Sequence, residues 1–153
     1  MQYFPVSDST TSEAMKKIIN ISCCTYKLDS MPHSFYGIDH IQIAAPDGSE
    51  DVERRFFHDI LGMEEIEKPD NLKRNGGVWF RCGKHQIHIG IEHDFRPAKK
   101  AHPAISVKDI ESLKELLVAN GILVDDGEKL PGAKRFYASD PFGNRIEFLE
   151  WTE

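Results

Sequence analysis

A chain of 153 residues that is 40% hydrophobic has enough apolar content for one packed domain, or for two small modules sharing a core. A formal net charge of −6 excludes a general nucleic-acid binder, which needs a basic face to displace counterions. The apolar runs fall far short of the roughly 18 residues that mark a membrane span. Of the three cysteines, Cys23 and Cys24 are adjacent and Cys82 stands alone. They make neither a disulfide framework nor a C-x-x-C, which points to a reducing, cytoplasmic setting.

Residues 1–33 read as an N-terminal arm, with a short helix at Glu13–Ile19 and an alternative start at Met31. The domain proper spans 34–153. Its first strand, Ile38 to Ala45, alternates His40, Gln42 and Ala44 with Ile41, Ile43 and Ala45, which places His40 and Gln42 on one face. Pro46-Asp47-Gly48 breaks it, and Ser49 offers an N-cap to a helix carrying Val52, Phe56, Phe57, Ile60 and Leu61, closed by Gly62. A short strand at 63–67 leads to a polar loop at 68–77. Strands at 78–82 and 86–92 follow, joined by a Gly83-Lys84 turn.

After a charged connector the pattern recurs. Ala101-His102-Pro103-Ala104-Ile105 opens the second half. Asp109 caps a helix carrying Ile110, Leu113, Leu116 and Leu117, and Gly121 closes it. A short strand at 122–125 and a loop at 127–132 precede strands at 135–138 and 145–150. Asp140-Pro141-Phe142-Gly143-Asn144 joins those two, because Pro sets φ, Gly permits positive φ, and Asp and Asn bond local backbone. Each half is β-α-β-β-β, over about 36–92 and 100–151. The repeat brings four ligand-type side chains into register: positions 40 and 88 lie 48 apart, and positions 102 and 147 lie 45 apart. His33, His58, His85 and His93 have no such register and read as solvated. Cys82 reads as core.

These residues resemble the vicinal oxygen chelate superfamily, the glyoxalase, bleomycin-resistance and extradiol-dioxygenase group. The carriers are Asp39-His40-Ile41-Gln42-Ile43, Phe56 through Leu61-Gly62, Ala101-His102 and above all Asp140-Pro141-Phe142-Gly143-Asn144-Arg145-Ile146-Glu147, close to a D-P-x-G-N-x-I-E motif. The resemblance covers about residues 36–151. It implies an α+β fold in which two βαβββ modules form a curved mixed sheet around a metal-binding cleft. It further implies metal ligation by His40, His88, His102 and Glu147, with His88 either a fourth ligand or a base beside three. Imidazole and carboxylate together suit Zn, Ni, Co, Mn or Fe.

The activity so implied is that of a metal-dependent lyase or isomerase. It would act on a small α-hydroxycarbonyl or hemithioacetal-type molecule through a metal-bound enediolate, with Glu147 moving the proton. Gln42, Arg81 and Arg135 are the candidate substrate-binding residues, the arginines because their fork fits a carboxylate or phosphate. An Fe(II) dioxygenase using His40, His102 and Glu147 is the alternative, and a drug-binding resistance protein without catalysis is another. The expected partners are a small-molecule substrate and a second copy of the chain, with no nucleic acid and no membrane.

Overall fold

The computed structural model describes residues 33–152. The expectations about Glu13–Ile19, Cys23, Cys24 and Met31 lie outside the described residues. The unit that carries the repeat runs from Gly37 to the C-terminus.

Module 1 contains β1 (His40–Ala45), a helix α1 (Glu50–Glu53) that continues with π-helical winding over Arg54–Ile60, β2 (Glu65–Ile66), a short helix α2 (Asp70–Lys73), β3 (Trp79–Cys82) and β4 (His85–Ile91). Module 2 contains β5 (Ala104–Ser106), α3 (Ile110–Ala119), β6 (Val124–Asp125), β7 (Ala133–Ser139) and β8 (Arg145–Trp151). The two sheets have the orders β1-β4-β3-β2 and β5-β8-β7-β6. In each, the first and last strands run parallel and the remaining pairs antiparallel. The expected pair of βαβββ modules is therefore the observed architecture.

Alternation along the strands divides each sheet into two faces. Ile87 and Ile89 on β4, and Ile146 and Phe148 on β8, point into one core shared with Phe56, Phe57, Phe80, Leu117 and Phe136. Burying each phenylalanine contributes roughly 2–3 kcal/mol. The intervening residues, His88 on β4 and Glu147 on β8, occupy the opposite faces.

Three local expectations change. Ser49 stands at the N-cap position, but its backbone is helical (φ −78, ψ −13) and its side chain makes no capping bond, since a capping oxygen needs extended backbone to reach the second or third amide. The apolar stripe of α1 is shifted. Val52 is left exposed, while Glu53, one α-turn before Phe57, is fully buried. The wider winding beyond it closes through Leu61 N–H to Phe56 O at 3.0 Å and Met63 N–H to Phe57 O at 2.9 Å. The polar loop at 68–77 contains the turn α2, started by Pro69 and favoured by Asp70 in its first turn. At α3 the expectation holds: the Asp109 carboxylate accepts from Ser112 N–H at 3.3 Å, from a left-handed backbone (φ 55) that Asp tolerates better than most residues.

Asn144 fastens the two modules. Its side-chain N–H donates to Ala44 O in β1 at 2.9 Å, its side-chain oxygen accepts from Ala98 N–H in the connector at 2.9 Å, and its own N–H donates to Asp140 Oδ1 at 2.8 Å. Asp140 Oδ1 also accepts from Phe142 N–H at 3.0 Å. The Asp-Pro-Phe-Gly-Asn run is thus a tight turn and also an inter-module clasp.

Candidate metal and substrate site

Strand register shows how closely the modules repeat at the four ligand-type positions. Gln42, two residues after His40, is the cross-strand partner of His88, and Ala104, two residues after His102, is the partner of Glu147. Each last-strand ligand also faces an aromatic residue on the neighbouring strand, Trp79 opposite His88 and Tyr137 opposite Glu147.

In module 1 the rings form a stack. The His40 and His88 centroids lie 4.0 Å apart, and Trp79 lies 3.8 Å from His88 and almost parallel to it, at 3°. His40 Nδ1 is 2.8 Å from the Asp39 carboxylate, which fixes the proton on Nδ1 and leaves the Nε2 lone pair outward. His88 is buried, and burial together with the neighbouring His40 pushes its pKa down to about 4. The ring is neutral at pH 7, the form that binds a metal. Its Nε2 lies 2.8 Å from Gln86 Oε1, so that nitrogen carries the proton and Nδ1 is the free donor.

In module 2, His102 precedes β5. Its Nδ1 is 2.9 Å from Lys100 O, which can only accept, so Nδ1 holds the proton. Its Nε2 lone pair then faces Glu147 Oε2 at 3.0 Å. Two acceptors at this distance repel each other unless a proton or a cation lies between them. The other carboxylate oxygen of Glu147 accepts from Arg135 Nη1 at 3.1 Å, and Arg135 is itself held by Glu128 O through Nη2 (2.7 Å) and Nε (2.9 Å). The donor types of both pairs are ones a divalent metal takes, imidazole nitrogens and one carboxylate oriented by Arg135.

Among the described residues, no three His, Cys, Asp or Glu side chains gather closely enough to hold an ion. The four ligand-type side chains fall into two contacting pairs, His40 with His88 and His102 with Glu147. The modules do meet alongside them, where a cavity of about 430 Å3 is lined by Gln42 and Ile43 from β1 and by His102, Pro103, Asn144 and Arg145 from module 2.

The remaining candidates are placed as follows. Gln42 lies across Gly90, where an added Cβ would come 2.7 Å from the Gln42 amide nitrogen, so glycine leaves that side chain its berth. Arg81 shares a sheet face with Trp79 and is paired with Glu64 at 2.9 Å. Arg135 is the strut behind Glu147. His58 and His85 are exposed, and His93 pairs with Asp47 at 2.6 Å. Cys82 is half-buried against the core, and burial raises its pKa. Sequence reasoning missed Gln86 and Arg145, which sit two residues before His88 and Glu147. The repeat spacing that found the ligands applies equally to those positions. It also missed the buried carboxylate of Glu53, which α-helical periodicity hides.

Residues 37–148 match the model of the Glyoxalase/Bleomycin resistance protein/Dioxygenase superfamily. A glyoxalase family protein from Bacillus anthracis is 52% identical, with a TM-score of 0.77 over 80% of this chain and all of that one. A lactoylglutathione lyase from Agrobacterium tumefaciens (20% identity, TM-score 0.62, covering 77% of this chain and 96% of that one) shares the fold. So does the fosfomycin resistance protein FosX from Listeria monocytogenes (18% identity, TM-score 0.64, covering 78% and 96%). No functionally curated protein matches the chain. The family model and the Bacillus anthracis relative extend over both modules, and the chain belongs to the glyoxalase, bleomycin resistance protein and dioxygenase superfamily.

Proposed function

We propose that this chain is a metal-dependent lyase or isomerase of glyoxalase type, acting on a small α-hydroxycarbonyl or hemithioacetal, with each site completed across two copies of the chain. The observation that carries this reading is the His102–Glu147 contact, an imidazole nitrogen and a carboxylate oxygen 3.0 Å apart about a point that a proton or a metal ion can occupy. His40 and His88 of one copy would join His102 and Glu147 of the other, since among the described residues of one copy no three ligand-type side chains gather. A divalent ion held by these four side chains would polarise two neighbouring oxygens of the substrate as a Lewis acid.

The chain's own residues supply the rest. Glu147 is the one carboxylate in the set, and it takes the proton from the carbon beside the carbonyl and returns it to the adjacent carbon. Arg135 fixes the direction of Glu147. Trp79, stacked on His88, holds that imidazole in place beside His40.

Complementation tests the reading. His40→Ala and Glu147→Gln are each purified, loaded with Zn or Ni, and assayed with the methylglyoxal–glutathione hemithioacetal, then mixed under exchange conditions. With sites built across copies, half the dimers are mixed and each has one intact site, so about a quarter of wild-type activity returns. No recovery in the mixture would place the whole site in one chain. Absence of turnover in wild type with every metal, or oxygen uptake with a catechol instead, would overturn the lyase reading.

A further inference from the structure

We propose that the cavity beside Tyr137 is an oxyanion subsite, in which Arg145 binds a carboxylate or phosphate carried by the substrate. The inference rests on the reading of His102 and Glu147 as the reacting end of the same cleft.

Arg145 and Glu147 are two residues apart on β8 and so share a face, roughly 7 Å from one another along the strand. The Arg145 guanidinium lies 3.7 Å from the centre of the Tyr137 ring. A guanidinium on an aromatic face keeps the N–H groups in its plane free for a bidentate partner. Among the described residues, no carboxylate or carbonyl accepts from it. The contrast with the other arginines on these faces is direct, because Arg135 is spent on Glu147 and Glu128 O, and Arg81 on Glu64.

The space beside it, about 360 Å3, is lined by Lys99, Asp125, Tyr137, Ser139 and Arg145. Ser139 is the cross-strand partner of Arg145 and brings a hydroxyl. Asp125 is the one carboxylate in this lining, and its Oδ1 is engaged by Gly127 N–H at 3.0 Å in its own turn. Tyr137 is pinned from another side by Gly127, where an added Cβ would lie 2.7 Å from the ring. Its edge meets His102, with centroids 5.5 Å apart. Arg145 also lines the cavity shared by Gln42 and His102, so it stands in the wall between the oxyanion pocket and the His102–Glu147 pair. A substrate with its reacting oxygens at Glu147 would project its other end toward Arg145 and Lys99. In module 1 the matching position is Gln86, which is uncharged and committed to His88.

The test has a binding arm and a turnover arm. In calorimetric titration with inorganic phosphate, wild type should bind, and Arg145→Gln should lose affinity by about tenfold or more, as expected for a charge-assisted pair. Because Arg145 also packs on Tyr137, Lys99→Gln, at an exposed position, is the second variant, with a loss of about threefold. In the turnover arm, hemithioacetals of methylglyoxal with 3-mercaptopropionate and with 2-mercaptoethanol differ by one carboxylate. Wild type should favour the first in kcat/KM by about tenfold, and Arg145→Gln should bring the ratio near one. Phosphate affinity unchanged in both variants, or a wild-type ratio near one, would overturn the subsite. If neither thiol adduct reacts yet phosphate affinity falls in the variants, the subsite stands and the lyase reading fails.

Discussion

The two halves of the cleft share a backbone pattern and differ in charge. Module 1 offers two imidazoles stacked on Trp79, with Gln86 two residues before the second of them. Module 2 offers one imidazole and a carboxylate beside Tyr137, with Arg135 behind the carboxylate and Arg145 over the ring. Equivalent positions thus hold His88 and Glu147, Trp79 and Tyr137, Gln86 and Arg145. The difference teaches that the repeat fixes where side chains stand and leaves their task open. The half with two imidazoles is suited to holding, and the half with Glu147 and Arg145 to moving a proton and recognising charge.

The sharpest way to break this division is to remove its one carboxylate. Glu147→Gln should lower kcat on a reactive hemithioacetal by about 10²–10⁴-fold while metal content falls much less, measured by steady-state kinetics beside elemental analysis. His88→Gln in the half with two imidazoles should act mainly through metal affinity. Equal losses of kcat at full metal loading in the two variants would dissolve the distinction.

Next in size is the clasp between the halves. Asn144→Ala leaves Ala44 O and Ala98 N–H without their partner and should cost about 2–4 kcal/mol in denaturant unfolding. Metal affinity should fall in the same variant if the clasp sets the modules' relative position.

A pH experiment addresses Glu53, buried on α1 with neither carboxylate oxygen hydrogen-bonded and with Asp140 of module 2 nearby. Burial first, then the Asp140 charge, pushes its pKa up to about 8 from 4.5. Between those values the folded protein binds a proton that the unfolded chain has released. Its contribution to stability is therefore complete below about pH 4.5 and is lost as pH rises through about 8, at up to about 1.4 kcal/mol per pH unit. Glu53→Gln should flatten the fall in melting temperature between pH 5 and 9 and raise it at the alkaline end. Parallel curves for variant and wild type would show that the buried group does not control this slope.

The smallest expected effect is at the Trp79 stack. Trp79→Phe keeps a ring under His88 and should weaken metal binding by only about two- to fivefold, with a stability loss of about 1 kcal/mol. Loss of metal as complete as in His40→Ala would make Trp79 more than a stacking partner.

Much of this was legible beforehand, for a physical reason. Period-two alternation places His40 with Gln42, and a repeat of nearly equal length gives His88 and Glu147 equivalent positions, so the strands and the four ligand-type residues follow from spacing. Glu53 did not, because its burial depends on the π-helical winding after it, which apolar periodicity cannot report. Arg135 was legible as a candidate substrate-binding residue and Arg145 was not, although both are strand arginines. Only cross-strand geometry separates the one tied to Glu147 from the one resting on Tyr137. That the two ligand-type pairs stand apart among the described residues lies beyond any reading of spacing, since the repeat specifies each half and not how the halves are joined.

The Asn144 clasp has a consequence for how the molecule comes apart. Its hydrogen bonds reach β1, the connector and the Asp140 turn, and Ile43, Phe57, Phe136 and Phe148 belong to one continuous core. Neither module can open without stranding polar backbone and bare apolar surface on the other. Duplicated architecture therefore does not mean duplicated folding units here. A calorimetric scan should show one transition for both modules, with van't Hoff and calorimetric enthalpies in agreement, and a lesion in either half should be felt as a loss of the whole.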